Sequence, residues 1–381
     1  MDFEFDEDQL ALQEAAADVL AKECPPSLLR AVVDGHQDAA GLWATLSGLD
    51  WPGLAIPTAD GGLGASTVEL AIVIEQLGYV GDPTPFLATT TQFVPVVSAC
   101  GNDEQRRRFL GAVAQEARPG TLALAGPSGV WDPGSPVVEA TREGDHWELR
   151  GTASFVIDGD RAAEVAVLAS TAGGREVFVV PADAVAARRM PALDEAIHVA
   201  EVVFDGATVG EDRRLAGGDA GAGFERALDE AVTGLALMTV GACQRALDLV
   251  IDYVSGREQF GVPIGSFQAV KHQVVDMYVA IERARALGYF AAVTIAEGDD
   301  RRSLAASMAK AAAGDAQRLV FQHGIQLFGG IGFTWENDLH LYLRRAKTAA
   351  LLFGGATEHR ARVGRTVMDA SRRRTAAERC D

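Results

Sequence analysis

The feature that most constrains this chain is a hydrophobic period that changes twice along its length. Apolar residues recur at helical spacing to about residue 117, at strand spacing over 118–222, and at helical spacing again over 223–381. Near the start, Leu10, Leu12, Ala16 and Leu20 lie on one helical face, and Pro25-Pro26 is expected to stop that helix. Leu42, Trp43, Leu46 and Leu49, the apolar run 66–78, and the segment opened by Asp103 and Glu104 continue the pattern. Then TLALAG, VVEATR, HWELR, VAVLAS, EVFVV and IHVAEVVF follow, alternating or β-branched and separated by Gly, Pro and Asp. No long helical pattern lies between them, which favours an antiparallel sandwich or barrel over βαβ units. Beyond them, Phe224, Leu228, Val232 and Leu235 keep the spacing i, i+4, i+8 and i+11 as far as an interruption at Gly261-Val262-Pro263. Long Ala-rich segments at 267–297, 302–327 and 337–370 complete what is most economically an up-and-down four-helix bundle. The expected protein is mainly α with a central β domain: a helical domain 1–117, a β domain 118–222 and a bundle domain 223–381.

Charge narrows the function classes. Asp plus Glu total 53 against 34 for Lys plus Arg, so a net charge of -19 repels polyanions and nucleic acid is excluded as a general partner. Cys24, Cys100, Cys243 and Cys380 form no CxxC pair, and no two histidines stand at i, i+4, so neither a disulfide framework nor a metal site is expected. The acidic start MDFEFDEDQL lacks the basic and apolar regions of a signal peptide, and no uncharged apolar run reaches membrane-spanning length. A cytoplasmic protein with reduced thiols and no membrane span is the expectation.

GGLG at 61–64 and GGIG at 329–332 lie outside any strand-turn-helix unit, so a Rossmann site is not expected, and no GxSxG nucleophile motif occurs. The richest stretch is 245–279, RALDLVIDYVSGREQFGVPIGSFQAVKHQVVDMYV. It brings Arg257, Phe260 and Gln268 to one corner of the bundle. A guanidinium, a ring and an amide grouped there suit a nucleotide pyrophosphate and adenine, since guanidinium pairs bidentately with phosphate. In QLFGGIGFTWENDLHLYLRRAK at 326–347, Gly329 and Gly330 permit close backbone approach to a ligand.

These segments resemble the acyl-CoA dehydrogenases. REQFGVPIGSFQ is similar to the family's RxxFGxxIxxFQ segment and QLFGGIGF to its QxxGGxG segment; FDEDQLALQEAAADVLAKE, LDWPGLAIPTADGGLGASTVELAIVIEQLG and NDEQRRRFLGAVAQE resemble its N-terminal signatures. The resemblance implies an N-terminal helical domain, a β domain and a C-terminal four-helix bundle. It implies FAD held between the β domain of one subunit and the bundle of its neighbour, with Arg257, Phe260, Gln268, Gln326, Gly329 and Gly330 on the bundle side. It implies α,β-dehydrogenation of an acyl-CoA, with an electron-transferring flavoprotein as acceptor.

Two parts of the family pattern are missing. Where a Glu base is usual, LFGGATEHRARVGR keeps Arg360 and Arg365 but has Phe353, and the alternative base position on the first bundle helix falls on Ala231, one residue from Glu230. On the β domain, LALAGPS at 122–128 and Phe155, Val156 and Ile157 replace the residues that usually contact the flavin. A catalytic base therefore stays unassigned, with Glu230 the weak candidate. This pattern resembles the base-less subunit of the heteromeric, steroid-catabolic acyl-CoA dehydrogenases of actinobacteria and implies a second subunit of the same family as partner. A self-sufficient dehydrogenase with a displaced base, an acyl-CoA-binding or assembly module without catalysis, and a flavin-dependent oxygenase on the same fold remain the alternatives.

Overall fold

The structure is a computed structural model and describes residues 5–218 and 220–377; Cys380 and the first residues of the acidic start lie outside that range. Helix α1 (Glu7–Glu23) opens on a capping box in which Asp6 accepts from the Gln9 amide and the Gln9 side chain returns to Asp6. Pro25-Pro26 ends α1 as expected, but it also starts a helix absent from the sequence reading. Pro26 takes the first position of α2 (Pro26–Val33), where its missing N–H costs nothing. Then come α3 (Ala40–Gly48) and α4 (Thr67–Val80), the latter capped by Ser66 with Glu69. The short helices α5 (Phe86–Ala88) and α6 (Val94–Cys100) flank a π-helical turn at Thr89–Phe93, and α7 (Asp103–Glu116) is boxed by Asn102 and Gln105.

The β strands are β1 (Gly120–Ala123), β2 (Val138–Glu143), β3 (His146–Ile157), β4 (Glu164–Thr171), β5 (Gly174–Pro181), β6 (Ala186–Arg189) and β7 (Val199–Gly210). They form one sheet in the order β1-β4-β2-β3-β7-β6, with β5 on the other edge of β4. The sheet is not purely antiparallel: β1 runs parallel to β4, and β2 is parallel to β4 at Val138 and Glu139. The difference arises because β1 enters from the helical domain and lies beside a strand three further along the chain. Strands β4 and β5 are buried on both faces. Val165, Val167, Phe178 and Val180 fill the interior of the β domain, while Ala166, Leu168, Val177 and Val179 pack with residues of α6 and α7.

The bundle consists of α8 (Ala220–Gly256), α9 (Gln268–Ala296), α10 (Arg302–Phe328) and α11 (Leu339–Leu351), whose inward residues form one core. By length and composition α8 could cross a membrane, but 72% of its most apolar window is buried inside the protein, so its apolar faces are used in packing. One such contact is with α4, where a Cβ on Gly241 would come 2.0 Å from the Glu75 carbonyl oxygen, so the two backbones touch there. A two-residue hairpin, β8 (Glu258–Gln259) and β9 (Val262–Pro263), joins α8 to α9. The segment 337–370 does not continue as one helix. Leu352 to Gly355 break it, with Phe353 at φ +56° and Gly354 at φ +94°, and α12 (Ala356–Ala377) departs to pack on α10.

Candidate functional site

That break delivers Phe353 to a cleft of about 330 Å3 between the β domain and α11. Leu122, Leu124, Ala125, Gly129 and Trp131 come from β1 and the loop after it. Ser154 and Phe155 come from β3, Met190 to Leu193 from the loop before β7, Val199 from β7, and Thr348, Leu351 and Leu352 from the end of α11. No Asp, Glu, His, Lys or Arg is among the lining residues. Phe155 reaches the cleft through a register shift in β3 between Ala153 and Val156, at φ +57°. A bulge of this kind re-aims one side chain out of the pleat. Val156 and Ile157 are buried in the cores of the β domain and the helical domain, so of those three residues Phe155 alone lines the cleft. A left-handed backbone at a bulky residue costs about 1–2 kcal/mol, and here two such residues hold aromatic rings on one cavity.

Trp131, which no sequence motif marks, joins the two sides of the cleft. Its ring centroid lies 5.8 Å from that of Phe353 and 5.8 Å from that of His359, stacked on the imidazole at 26°, and the Arg362 guanidinium sits 4.7 Å from the indole. His359 is 1% exposed, and burial pushes its imidazole down to about 4, so it is neutral near pH 7. Its Nε2 is 2.9 Å from the Phe353 carbonyl oxygen, which can only accept, so that nitrogen carries the proton and donates. Beside it the fully buried Lys310 ammonium donates to the Ala349 carbonyl in the last turn of α11, and burial pushes it down to about 7. Both bonds fix the turn that carries Phe353. Arg360 is spent on Asp315 at 2.7 Å, while Arg365 joins Trp131, Glu358 and Arg362 around a small polar cavity of about 110 Å3.

The other base positions lie away from the cleft lining. Ala231 is fully buried in α8. Glu230 is partly buried, and burial followed by the repulsion of Asp229 pushes its carboxyl up to about 7. Asp229 in turn accepts from the Ser303 hydroxyl at 2.8 Å and lies 3.4 Å from Arg302.

Arg257, Phe260, Gln268, Gln326, Gly329 and Gly330 are all exposed, and none lines the cleft. The fold brings their segments to one end of the bundle, because Tyr253, one turn before Arg257, stacks on Phe328, next to Gly329, at 4.3 Å and 13°. Phe260, at the tip of the hairpin, is 93% exposed, and a side chain added at Gly329 or Gly330 would meet open space. In one copy of the chain the cleft and this bundle end are therefore two separate surfaces.

Known proteins resemble this chain over most of its length. Residues 6–117 match the model of the acyl-CoA dehydrogenase N-terminal domain, and residues 221–368 that of its C-terminal domain. The acyl-CoA dehydrogenase IpdE2 of Mycolicibacterium smegmatis is 31% identical over 92% of this chain and 96% of its own. Among solved structures, the ChsE4-ChsE5 complex of Mycobacterium tuberculosis superposes with a TM-score of 0.88 at 27% identity, covering 97% of this chain and 99% of that one. A variant of the Tcur3481-Tcur3483 steroid ACAD superposes with a TM-score of 0.86 at 31% identity, covering 96% and 99%.

Proposed function

This chain belongs to the acyl-CoA dehydrogenase family, and from that premise we propose that it is the base-less subunit of an FAD-dependent acyl-CoA dehydrogenase built from two different family members. The observation that carries the reading is the cleft at Phe353, which offers no ionisable group to a substrate. Removing the α proton of a thioester requires a carboxylate or another base within hydrogen-bond reach of that carbon, and neither Phe353 nor Ala231 can accept a proton. The partner supplies the carboxylate. That two of the solved relatives are named as two-component assemblies, ChsE4-ChsE5 and Tcur3481-Tcur3483, supports the heteromer.

The family is FAD-dependent, and the residues present fit that cofactor on one surface and not on the other. Arg257, Gln268, Gln326 and the open backbone at Gly329 and Gly330 suit the pyrophosphate and adenosine of a cofactor seated on the neighbouring subunit. The cleft does not fit. The edge of a flavin ring needs hydrogen-bond donors, whereas the polar side chains here reduce to Ser154, Thr348 and an indole already packed against Phe353 and His359. When bound, the cofactor supplies the acceptor for a hydride from the β carbon, and an electron-transferring flavoprotein would then reoxidise it. This chain's own part is to hold the cofactor's anionic end with Arg257 and the two Gln amides and to close the bundle side of the partner's site against water.

The test is to purify the chain alone and together with a family subunit that carries the Glu. The chain alone is expected to lack acyl-CoA oxidation, and the pair is expected to show it; oxidation by the chain alone overturns the reading. A second reading, self-sufficient catalysis, is favoured by Glu230, whose raised carboxyl would suit a general base. Glu230→Gln separates the two, because an unchanged rate in the assembled enzyme removes that carboxylate from the chemistry.

A further inference from the structure

A second cavity, of about 420 Å3, opens on the bundle between α10, α11 and the turn that contains Gly332 and Trp335. On α11, His340, Arg344 and Lys347 recur at i, i+4 and i+7 and so share one face; on α10, Arg318 and Phe321 face them across the cavity. No Asp or Glu is among the lining residues, although the chain holds 53 acids against 34 bases. Of the acids nearby, Asp338 pairs with Arg30, Asp194 with Arg345 and Asp315 with Arg360, Asp34 accepts from the Trp335 indole N–H at 3.2 Å, and Glu336, next to Trp335, does not line the cavity. Arg318, Arg344 and Lys347 thus stand around one cavity with no carboxylate in ion-pair distance among the described residues.

The same cavity has an aromatic wall. Trp335 stacks on His340 at 4.7 Å and 27°, and Arg344 lies 5.0 Å from the indole, so the ring is held in one orientation. Phe321 and Phe333 leave much of their rings open, at 42% and 78% exposure. Unpaired cations select an anion, guanidinium in particular selects phosphate, and fixed rings select a flat aromatic group. One ligand class satisfies both requirements. We infer that this cavity binds a purine nucleotide, its base among Trp335, Phe333 and Phe321 and its phosphates between Arg318 and the Arg344–Lys347 face. The head group is common to free ADP and to coenzyme A. The site adjoins the bundle end through Gly332 and Phe333 but includes none of Arg257, Phe260, Gln268, Gln326, Gly329 and Gly330, and it does not depend on the heteromer reading.

The experiment is calorimetric titration of the full-length chain with ADP, with coenzyme A and with adenosine, at low and moderate salt. Saturable ADP binding that weakens with salt is expected, with adenosine at least tenfold weaker than ADP. Arg344→Gln and Lys347→Gln are each expected to weaken ADP about tenfold or more, the usual cost of one charge-assisted contact. Because Arg344 also covers Trp335, thermal melts accompany that variant, and Lys347→Gln, which has no such contact, carries the test if Arg344→Gln misfolds. Tighter binding of coenzyme A than of ADP assigns the site to a thioester head group; equal or weaker binding assigns it to the free nucleotide. Absence of ADP saturation at millimolar concentration, adenosine binding as tight as ADP, or unchanged affinity in Lys347→Gln overturns the inference.

Discussion

Replacing Arg345 by Met should destabilise the protein by about 3–5 kcal/mol, the usual cost of stripping one partner from a buried ion pair. The side chain is 1% exposed in α11 and ties the three parts of the fold together. Its Nε donates to Asp194 in the loop before β7, and one terminal nitrogen donates to the Asp82 carbonyl after α4 at 2.6 Å. Met fills the volume but leaves Asp194, 4% exposed, with a buried charge and no cation, and leaves the Asp82 carbonyl without this donor. Asp82 is affected as well. Burial already pushes its carboxyl up to about 6, against hydrogen bonds from Thr84 and the charge of Arg345, so losing the cation raises it further. Urea denaturation of the parent, Arg345→Met, Asp194→Asn and the double variant measures both the loss and the pairwise coupling. The coupling should be about 2 kcal/mol or more, because the two groups share one desolvated contact. A loss below about 1 kcal/mol, or additive single effects, would refute the reasoning. The consequence for function is local: Leu193, next to Asp194, lines both cavities, so the Asp194 anchor positions a wall of each.

Lys310 gives the protein an unusual pH dependence. Its ammonium is pushed from 10.5 to about 7, so below pH 7 folded and unfolded chains both hold the proton and the full cost of burying it, on the order of 5 kcal/mol, is present. From pH 7 to 10.5 only the unfolded chain holds it, and stability should rise by about 1.4 kcal/mol per pH unit; Lys310→Met should abolish that rise in denaturation curves at pH 7 and 9. Phe353→Glu should not convert the isolated chain into a dehydrogenase, because the cleft still offers a flavin ring few side-chain donors beyond Ser154 and Thr348, and it should cost about 1–3 kcal/mol in stability by placing a carboxyl among apolar groups. Oxidation of an acyl-CoA by that variant alone would contradict the cleft's assignment. Gln92 in the π-helical turn is fully buried with neither amide atom partnered, so Gln92→Leu should be neutral or stabilising within about 1 kcal/mol; a loss above about 2 kcal/mol in the same assay would reveal a partner for the amide.

Much of the fold was legible because its signals are local. The change from helical to strand period and back locates the β region, whereas the boxes at Asp6, Ser66 and Asn102, which satisfy free backbone amides at three helix starts, emerge from the folded chain. Segment 86–100 was not legible: its Thr and Val residues read against a helix, and its stability comes from burial on nearly every side. Strand β6, AARR, is exposed throughout and carries no alternation, and the parallel pairing of β1 with β4 depends on chain entry rather than on composition. The bundle-end residues were readable from two short motifs because each motif is continuous in sequence. The Trp131–His359 stack joins positions more than 200 residues apart, and only the folded chain brings them together. The absent base is a partial case. Phe353 can be found by matching the segment around it, but that its ring enters an apolar cleft, with Glu230 elsewhere, required the geometry.

Flavin stoichiometry tests the central claim most directly. The absorbance of bound FAD per mole of protein should be measured for the chain purified alone and for the complex it forms with a family subunit carrying the catalytic Glu. The account expects no retained FAD on the chain alone and one FAD per pair of unlike subunits in the complex. One FAD per copy of the chain alone, or two per pair, would contradict it.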